Sequence, residues 1–264
     1  MRSNGGGMRA AGWRTGIAGV LWLLCLPSFG VAASVQLQWE YPVTPALSRF
    51  RIYRVSGSCP ASALLPQQSL RIASVDSQET VQGNFAATKA IDGNPATFWH
   101  TQFTSPIAPL PHILVLDLGS LMWVDAVHYL PRQDGRQAGN IARYEVSVSV
   151  DNSTWDLPVA AGTFPATSAE QRVRFTARTG RYVRLTGLSE VVGDVVTNAA
   201  EVRVAGAPLV TSPVAPIGEV ARSAGSLHTF TDATVPSGST NCWYVKAQAP
   251  DGTESVASNP VQVP

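Results

Sequence analysis

The sequence predicts an all-β chain, a sandwich or barrel of short strands, and three observations carry that prediction. Almost no stretch repeats its apolar residues at the helical period. Short runs alternate apolar and polar side chains instead, the pattern of a strand with one buried face. Glycine, proline, asparagine and aspartate break these runs at close intervals, as they do in sandwiches and barrels. The predicted strands, in order, are Ser34–Glu40, Arg49–Val55, Ile113–Gly119, Tyr144–Asp151, Arg172–Thr176, Arg181–Leu185, Glu201–Val204, Leu227–Thr231, Cys242–Gln248 and Ser255–Val263.

Before the first strand, Arg2, Arg9 and Arg14 precede a short apolar run from Gly19 to Leu26, which ends in Pro27, Ser28 and the small residues Val31-Ala32-Ala33. This is the make-up of a secretory signal peptide over residues 1–33. The run is too short to cross a bilayer comfortably, so no transmembrane segment is expected after cleavage. Loss of three arginines leaves 16 basic against 18 acidic residues, a net charge of −2. A chain so near neutrality has no electrostatic footprint for nucleic acid. Only Lys89 and Lys246 are lysines among the 19 basic residues. That arginine bias points to a GC-rich bacterial genome, hence a secreted or periplasmic location. Of three cysteines, Cys25 leaves with the leader, and Cys59 and Cys242 remain. An even pair in an exported protein suggests one disulfide.

No catalytic signature is present: there is no Gly-x-Ser-x-Gly elbow, no His-Glu-x-x-His, no Cys-x-x-Cys and no phosphate-binding glycine loop. The expectation is a protein that is not an enzyme. The stretch Lys89–Thr101, KAIDGNPATFWHT, is the densest in chemistry. Taken alone, Asp92-Gly93 is a capped tight turn. Trp99 reads as core. His100 is either a pocket residue or a satisfied loop histidine, and Arg132 is either free or paired with Asp134 or Asp125.

Six blocks resolve the ambiguity by resemblance. KAIDGNPATFWHT, PLPHILVLDLG (109–119), YLPRQDG (129–135), YEVSVSVDNSTW (144–155), RYVRLTGLSEV (181–191) and AAEVRV (199–204) resemble, in order, the discoidin or coagulation factor V/VIII C-type domains. The closest likeness is to family-32 carbohydrate-binding modules, including the galactose-binding domain of galactose oxidase. The resemblance implies a jelly-roll β-sandwich of the galactose-binding-like kind over residues 70–206. It also implies one structural calcium, held by the carbonyls of Lys89, Asn94 and Ala200, the carboxylates of Asp92 and Glu201, and Thr97 through hydroxyl and carbonyl. It implies a sugar site at His100, Phe103 and Arg132. At the asparagine that relatives carry after LPRQDG stands Ala138, with Gln137 and Asn140 as the stand-ins. No aromatic precedes the last strand, where Asp194-Val195-Val196 stands.

The flanks, residues 34–60 and 214–264, together resemble one fibronectin type III domain split by the middle segment. That resemblance implies antiparallel neighbours at Arg51–Val55 and Trp243–Gln248, which would bring Cys59 beside Cys242. The expected function is weak binding of galactose-type or related glycans, with a separate glycoside hydrolase or a cell surface as partner. The alternative is an adhesion or scaffold protein whose discoidin fold binds a protein or phospholipid surface through a tip at Phe103, Ile107, Ala108 and Leu110.

Overall fold

The computed structural model describes residues 22–25, 33–41, 47–209 and 214–263. The predicted leader therefore lies outside the described residues, apart from Trp22–Cys25 and Ala33. Before the middle segment come β1 (Trp22–Cys25), β2 (Ala33–Glu40) and β3 (Arg49–Ser56). The middle segment holds β4 (Ala63–Leu64), β5 (Arg71–Val75), β6 (Trp99–His100), β7 (His112–Leu130) and β8 (Arg143–Ser149). It continues with β9 (Ala160–Thr163), β10 (Gln171–Gly187), β11 (Asn198–Ala199) and β12 (Glu201–Pro208). After it come β13 (Gly218–Ala221), β14 (Leu227–Val235), β15 (Asn241–Gln248) and β16 (Val261–Val263). The chain is all-β, as predicted; the helical exceptions among the described residues are two short 3-10 turns at Gln67–Ser69 and Ala87–Ala90.

In the middle segment one sheet runs β4-β12-β7-β10-β8-β9, with β5 also paired to β7. Alternation explains its inner face. Leu114, Leu116 and Leu118 of β7, Val183 and Leu185 of β10, and Val202 and Val204 of β12 are buried together around Trp99 and Tyr129. Trp99 is thus core, as its sequence reading held, and its indole N–H donates to the Ser77 carbonyl at 2.9 Å. Two features depart from the predicted strands. β7 continues past Gly119, where φ is +83°; its register with β10 breaks after Asp117 and resumes at Met122. The runs at Arg172–Thr176 and Arg181–Leu185 are one strand, β10, broken by register shifts at Arg174/Arg178 and Gly180/Tyr182. Bulges of this kind let a long strand curl with its sheet. The sheet also reaches outside residues 70–206, because Ala63 and Leu64 pair with Gly206 and Ala205, and Pro208 with Met122.

The flanking segments build sheets with each other. β2 pairs with β14, and β3 lies between β13 and β15. Trp39, Phe50, Ile52, Trp243 and Val245 form their common buried cluster. Cys59 and Cys242 are joined, with Cα atoms 4.9 Å apart and a sequence separation of 183. The flanks meet the middle sheet at Trp123, packed with Tyr53 and Tyr244, whose indole N–H donates to the Ser258 carbonyl at 2.7 Å.

Candidate functional site

The loop from Lys89 to Thr97 gathers oxygen atoms. Asp92 Oδ1 accepts the Asn94 N–H at 2.9 Å. Asp92 Oδ2 receives the Thr97 hydroxyl at 2.7 Å and the Lys89 ammonium at 3.3 Å. The same hydroxyl lies 3.0 Å from the Asn94 carbonyl, so one hydrogen faces two acceptors. Glu201 begins β12 and Ala200 precedes it; the pairing of Glu201 with Leu130 of β7, and the Ala200 N–H donated to the Leu130 carbonyl, bring both to this end of the sheet. Glu201 is fully buried. Its Oε2 accepts from the Gln67 amide, while Oε1 has no hydrogen-bond partner. Burial, and then the charge of Asp92, push the Glu201 carboxyl above its ordinary range. Two carboxylates that repel each other, one with an orphaned buried oxygen, are a donor-poor set suited to a hard cation with oxygen ligands. The residues present therefore fit calcium. Among the described residues no group of three or more His, Cys, Asp or Glu side chains gathers for a metal. This set would escape such a count, since it has two carboxylates and otherwise carbonyl and hydroxyl oxygens. A cleft of about 470 Å³ opens beside it, walled by Gln67, Arg71, Thr88 and Asp92.

The second half of the loop leads to another cluster. His100 is 4% exposed, and its Nδ1 lies 2.7 Å from the Thr101 carbonyl. A carbonyl only accepts, so Nδ1 carries the hydrogen and Nε2 presents its lone pair. Burial lowers the His100 pKa, and the charge of Arg132 lowers it further, so the neutral ring is favoured. Phe103, 38% exposed, stands edge-on to His100 with centroids 5.1 Å apart. Arg132 follows β7 and is 8% exposed. Its Nε donates to Asp134 Oδ1 at 2.7 Å, its Nη2 to Asp134 Oδ2, and its Nη1 to the Ala138 carbonyl at 3.3 Å. The guanidinium sits 4.5 Å over the Phe98 ring. Of the two pairings open in the sequence, Asp134 is the one formed. It fixes the fork and leaves two of its five N–H groups unassigned.

Gln137 is exposed, and Asn140 is buried with Oδ1 unpartnered. Gly139 between them has φ of +88°, and a Cβ there would lie 2.6 Å from Asn198 Nδ2 and 3.2 Å from His100 Nε2. That approach ties the 137–140 loop to His100. Val195 is half-open at 42%, and its carbonyl is held 2.8 Å from His112 Nε2.

Several organising residues were not among those singled out in the sequence. Glu79 is fully buried and accepts the backbone N–H groups of Val81, Gln82, Phe103 and Thr104. Burial raises its carboxyl, but these hydrogen bonds and the Thr104 hydroxyl outweigh it and hold the pKa at about 2. Glu190 likewise accepts from the backbone, taking the N–H groups of Gly139, Val192 and Asp194. Phe85 lies 5.0 Å from Phe98 and 5.9 Å from Phe103, completing an aromatic cluster under the rim.

A β-sandwich with loops at one end holding a pinned arginine, a neutral imidazole acceptor and an exposed ring defines a ligand-binding module. The chain belongs to the F5/8 type C domain family, whose profile matches residues 73–202. A sialidase of Micromonospora viridifaciens is 43% identical over 144 residues, which make 54% of this chain and 22% of the sialidase. Galactose oxidase of Gibberella zeae is 39% identical over 141 residues, 53% of this chain and 21% of the oxidase. The chain thus spans about a fifth of the length of these relatives. Among solved structures, CpGH89CBM32-5 from Clostridium perfringens, in complex with GalNAc-β-1,3-galactose, superposes with a TM-score of 0.50 and 31% identity. That match covers 54% of this chain and 99% of the module.

Proposed function

We infer that this chain is an exported, non-catalytic carbohydrate-binding protein whose middle domain takes galactose-type or related glycans at the His100 rim. The observation that carries this reading is the clustering of Arg132 and His100 around Phe98, with the exposed Phe103 edge-on to His100. Saccharides need an apolar face for their C–H side and planar polar groups for their hydroxyls. Phe103 supplies the face. The free N–H groups of Arg132 donate to sugar oxygens, and His100 Nε2 accepts from a hydroxyl. Gln137 and Asn140 stand beside them to add amide contacts. Family membership and the glycan seated on the Clostridium module support the assignment. The cage of Lys89, Asp92, Asn94, Thr97, Ala200 and Glu201 would hold calcium, which when bound neutralises the facing carboxylates and ties the loop to β12. The predicted leader supports export. The flanks are proposed as one fibronectin type III-like sandwich, supported by the β3–β15 pairing over eight residues and by the disulfide. The partner is a glycan on a cell surface or on the substrate of a separate glycoside hydrolase.

One observation favours a second reading, an adhesion surface for protein or phospholipid: Ile107 is 47% exposed near Phe103 on the same loop. A glycan array run with and without chelator, beside co-sedimentation with phosphatidylserine vesicles, separates the two. Binding to galactosylated glycans that Arg132→Ala abolishes supports the first reading. Vesicle binding with a blank array overturns it.

A further inference from the structure

The outer face of the middle sheet carries a second polar and aromatic set, which shares no residue with the His100 rim. β10 alternates, so while Val183 and Leu185 point to the core, Arg184 stands on the other face. Its register partner on β8 is Ser147, and Glu145 lies on the same face of β8, opposite Thr186. Trp155, from the loop after β8, covers Arg184, with the guanidinium carbon 4.4 Å from the ring centroid. Beneath them Ser147 is 1% exposed.

This set is poorly satisfied. Arg184 makes one side-chain hydrogen bond among the described residues, from Nη2 to the Ser147 hydroxyl at 3.3 Å. Its Nε is buried with no partner. Burial lowers the Arg184 pKa, against the opposing charge of Glu145. Glu145 is half-buried, lies near enough for its charge to be felt, and has no side-chain hydrogen bond among the described residues; neither has the half-exposed Trp155 indole N–H. A buried guanidinium N–H normally finds an acceptor, because one left unpaired has lost its water without a replacement.

We propose that Trp155, Arg184 and Glu145 form a second saccharide-binding site, selective for neutral oligosaccharides and independent of the His100 rim. A vicinal diol is both donor and acceptor. One hydroxyl donates to the Glu145 carboxylate while its neighbour accepts from Arg184, and the Trp155 edge and indole N–H bound the ring. Arg184 and Glu145 offset each other in charge, so a carboxylated sugar would add an unpaired negative charge to the set, which is why the class is neutral. Two sites on one module would let a branched or repeating glycan bind with avidity beyond either site.

The test is a titration of the full chain, labelled with nitrogen-15, with galactose-type, gluco- and manno-oligosaccharides and with a sialylated one. The readout is the Trp155 indole N–H, identified by its loss in Trp155→Phe. A neutral oligosaccharide should move this signal. The movement should persist in His100→Ala, and Arg184→Gln should raise the half-saturating concentration roughly tenfold or more, the equivalent of one charge-assisted hydrogen bond. Glu145→Gln, a milder change at a half-buried position, should weaken neutral binding and relieve discrimination against the sialylated ligand. An indole signal that no neutral saccharide moves overturns the site. So does a movement that vanishes in His100→Ala and survives Arg184→Gln, both variants being checked for a native melt.

Discussion

If the proposed cage holds calcium, stripping the ion puts the strain on one atom, Glu201 Oε1. That oxygen is buried without a hydrogen-bond partner, and its carboxylate faces Asp92. An unpartnered buried acceptor costs about 1–3 kcal/mol, with charged groups at the upper end. A cation that binds only the native state adds about 2.7 kcal/mol at a hundredfold excess over its Kd. In a chain of this length each kcal/mol moves the melting temperature by about 2–4 °C, so chelation should lower it by roughly 5–10 °C. Glu201→Gln sharpens the test, because an amide removes the repulsion together with the ligand. The variant should melt below wild type in calcium, and level with or above it in chelator. Differential scanning calorimetry in both buffers reads this crossing. A wild-type melt indifferent to chelator and to excess calcium, or a variant lowered equally in both, refutes the cage.

Three further outcomes are expected. Cys242→Ser opens a loop closed across a sequence separation of 183, and chain entropy puts its cost at about 5 kcal/mol as an upper value; urea unfolding followed by tryptophan fluorescence checks it, and an unchanged midpoint contradicts the clamp. Glu79 has its carboxyl held at about 2 against an ordinary 4.5, so its contribution to stability is full above the ordinary value and lost as pH falls between the two. Glu79→Gln should flatten the acid limb of the stability profile in that window while loosening the Phe103 loop, measured by amide exchange of Phe103 and Thr104. Gly139→Ala places a Cβ against Asn198 and His100 at a positive φ, and should cost about 1–3 kcal/mol and abolish glycan binding, read by melting and by titration.

The strands were legible wherever alternation was clean, as at Tyr144–Asp151, because one face packs on the core and the other meets solvent or loop. Strand length was not. Gly119 looks like an end, yet β7 goes on past it, since pairing with β10 is decided by a partner far along the chain. The two carboxylates of the proposed cage could be linked in the sequence only through the order of family blocks, because Asp92 and Glu201 are more than a hundred residues apart. Gln67, which donates to Glu201, lies before those blocks and gave no signal. Glu79 and Glu190 were equally silent. A buried acid that accepts backbone N–H groups sits in loops without period, and nothing in its neighbours marks it. The Arg132–Asp134 pairing was one of two options in the sequence, and the tight turn at Asp134-Gly135 decided it.

In the proposed site Arg132 is the donor that would grip a sugar beside His100 and Phe103. Isothermal titration of the full chain with GalNAc-β-1,3-galactose in calcium, for wild type and Arg132→Ala, tests it most directly. Saturable binding by wild type, weakened roughly tenfold or more in the variant at an unchanged melt, is the predicted result. Equal affinities for the two proteins would contradict it.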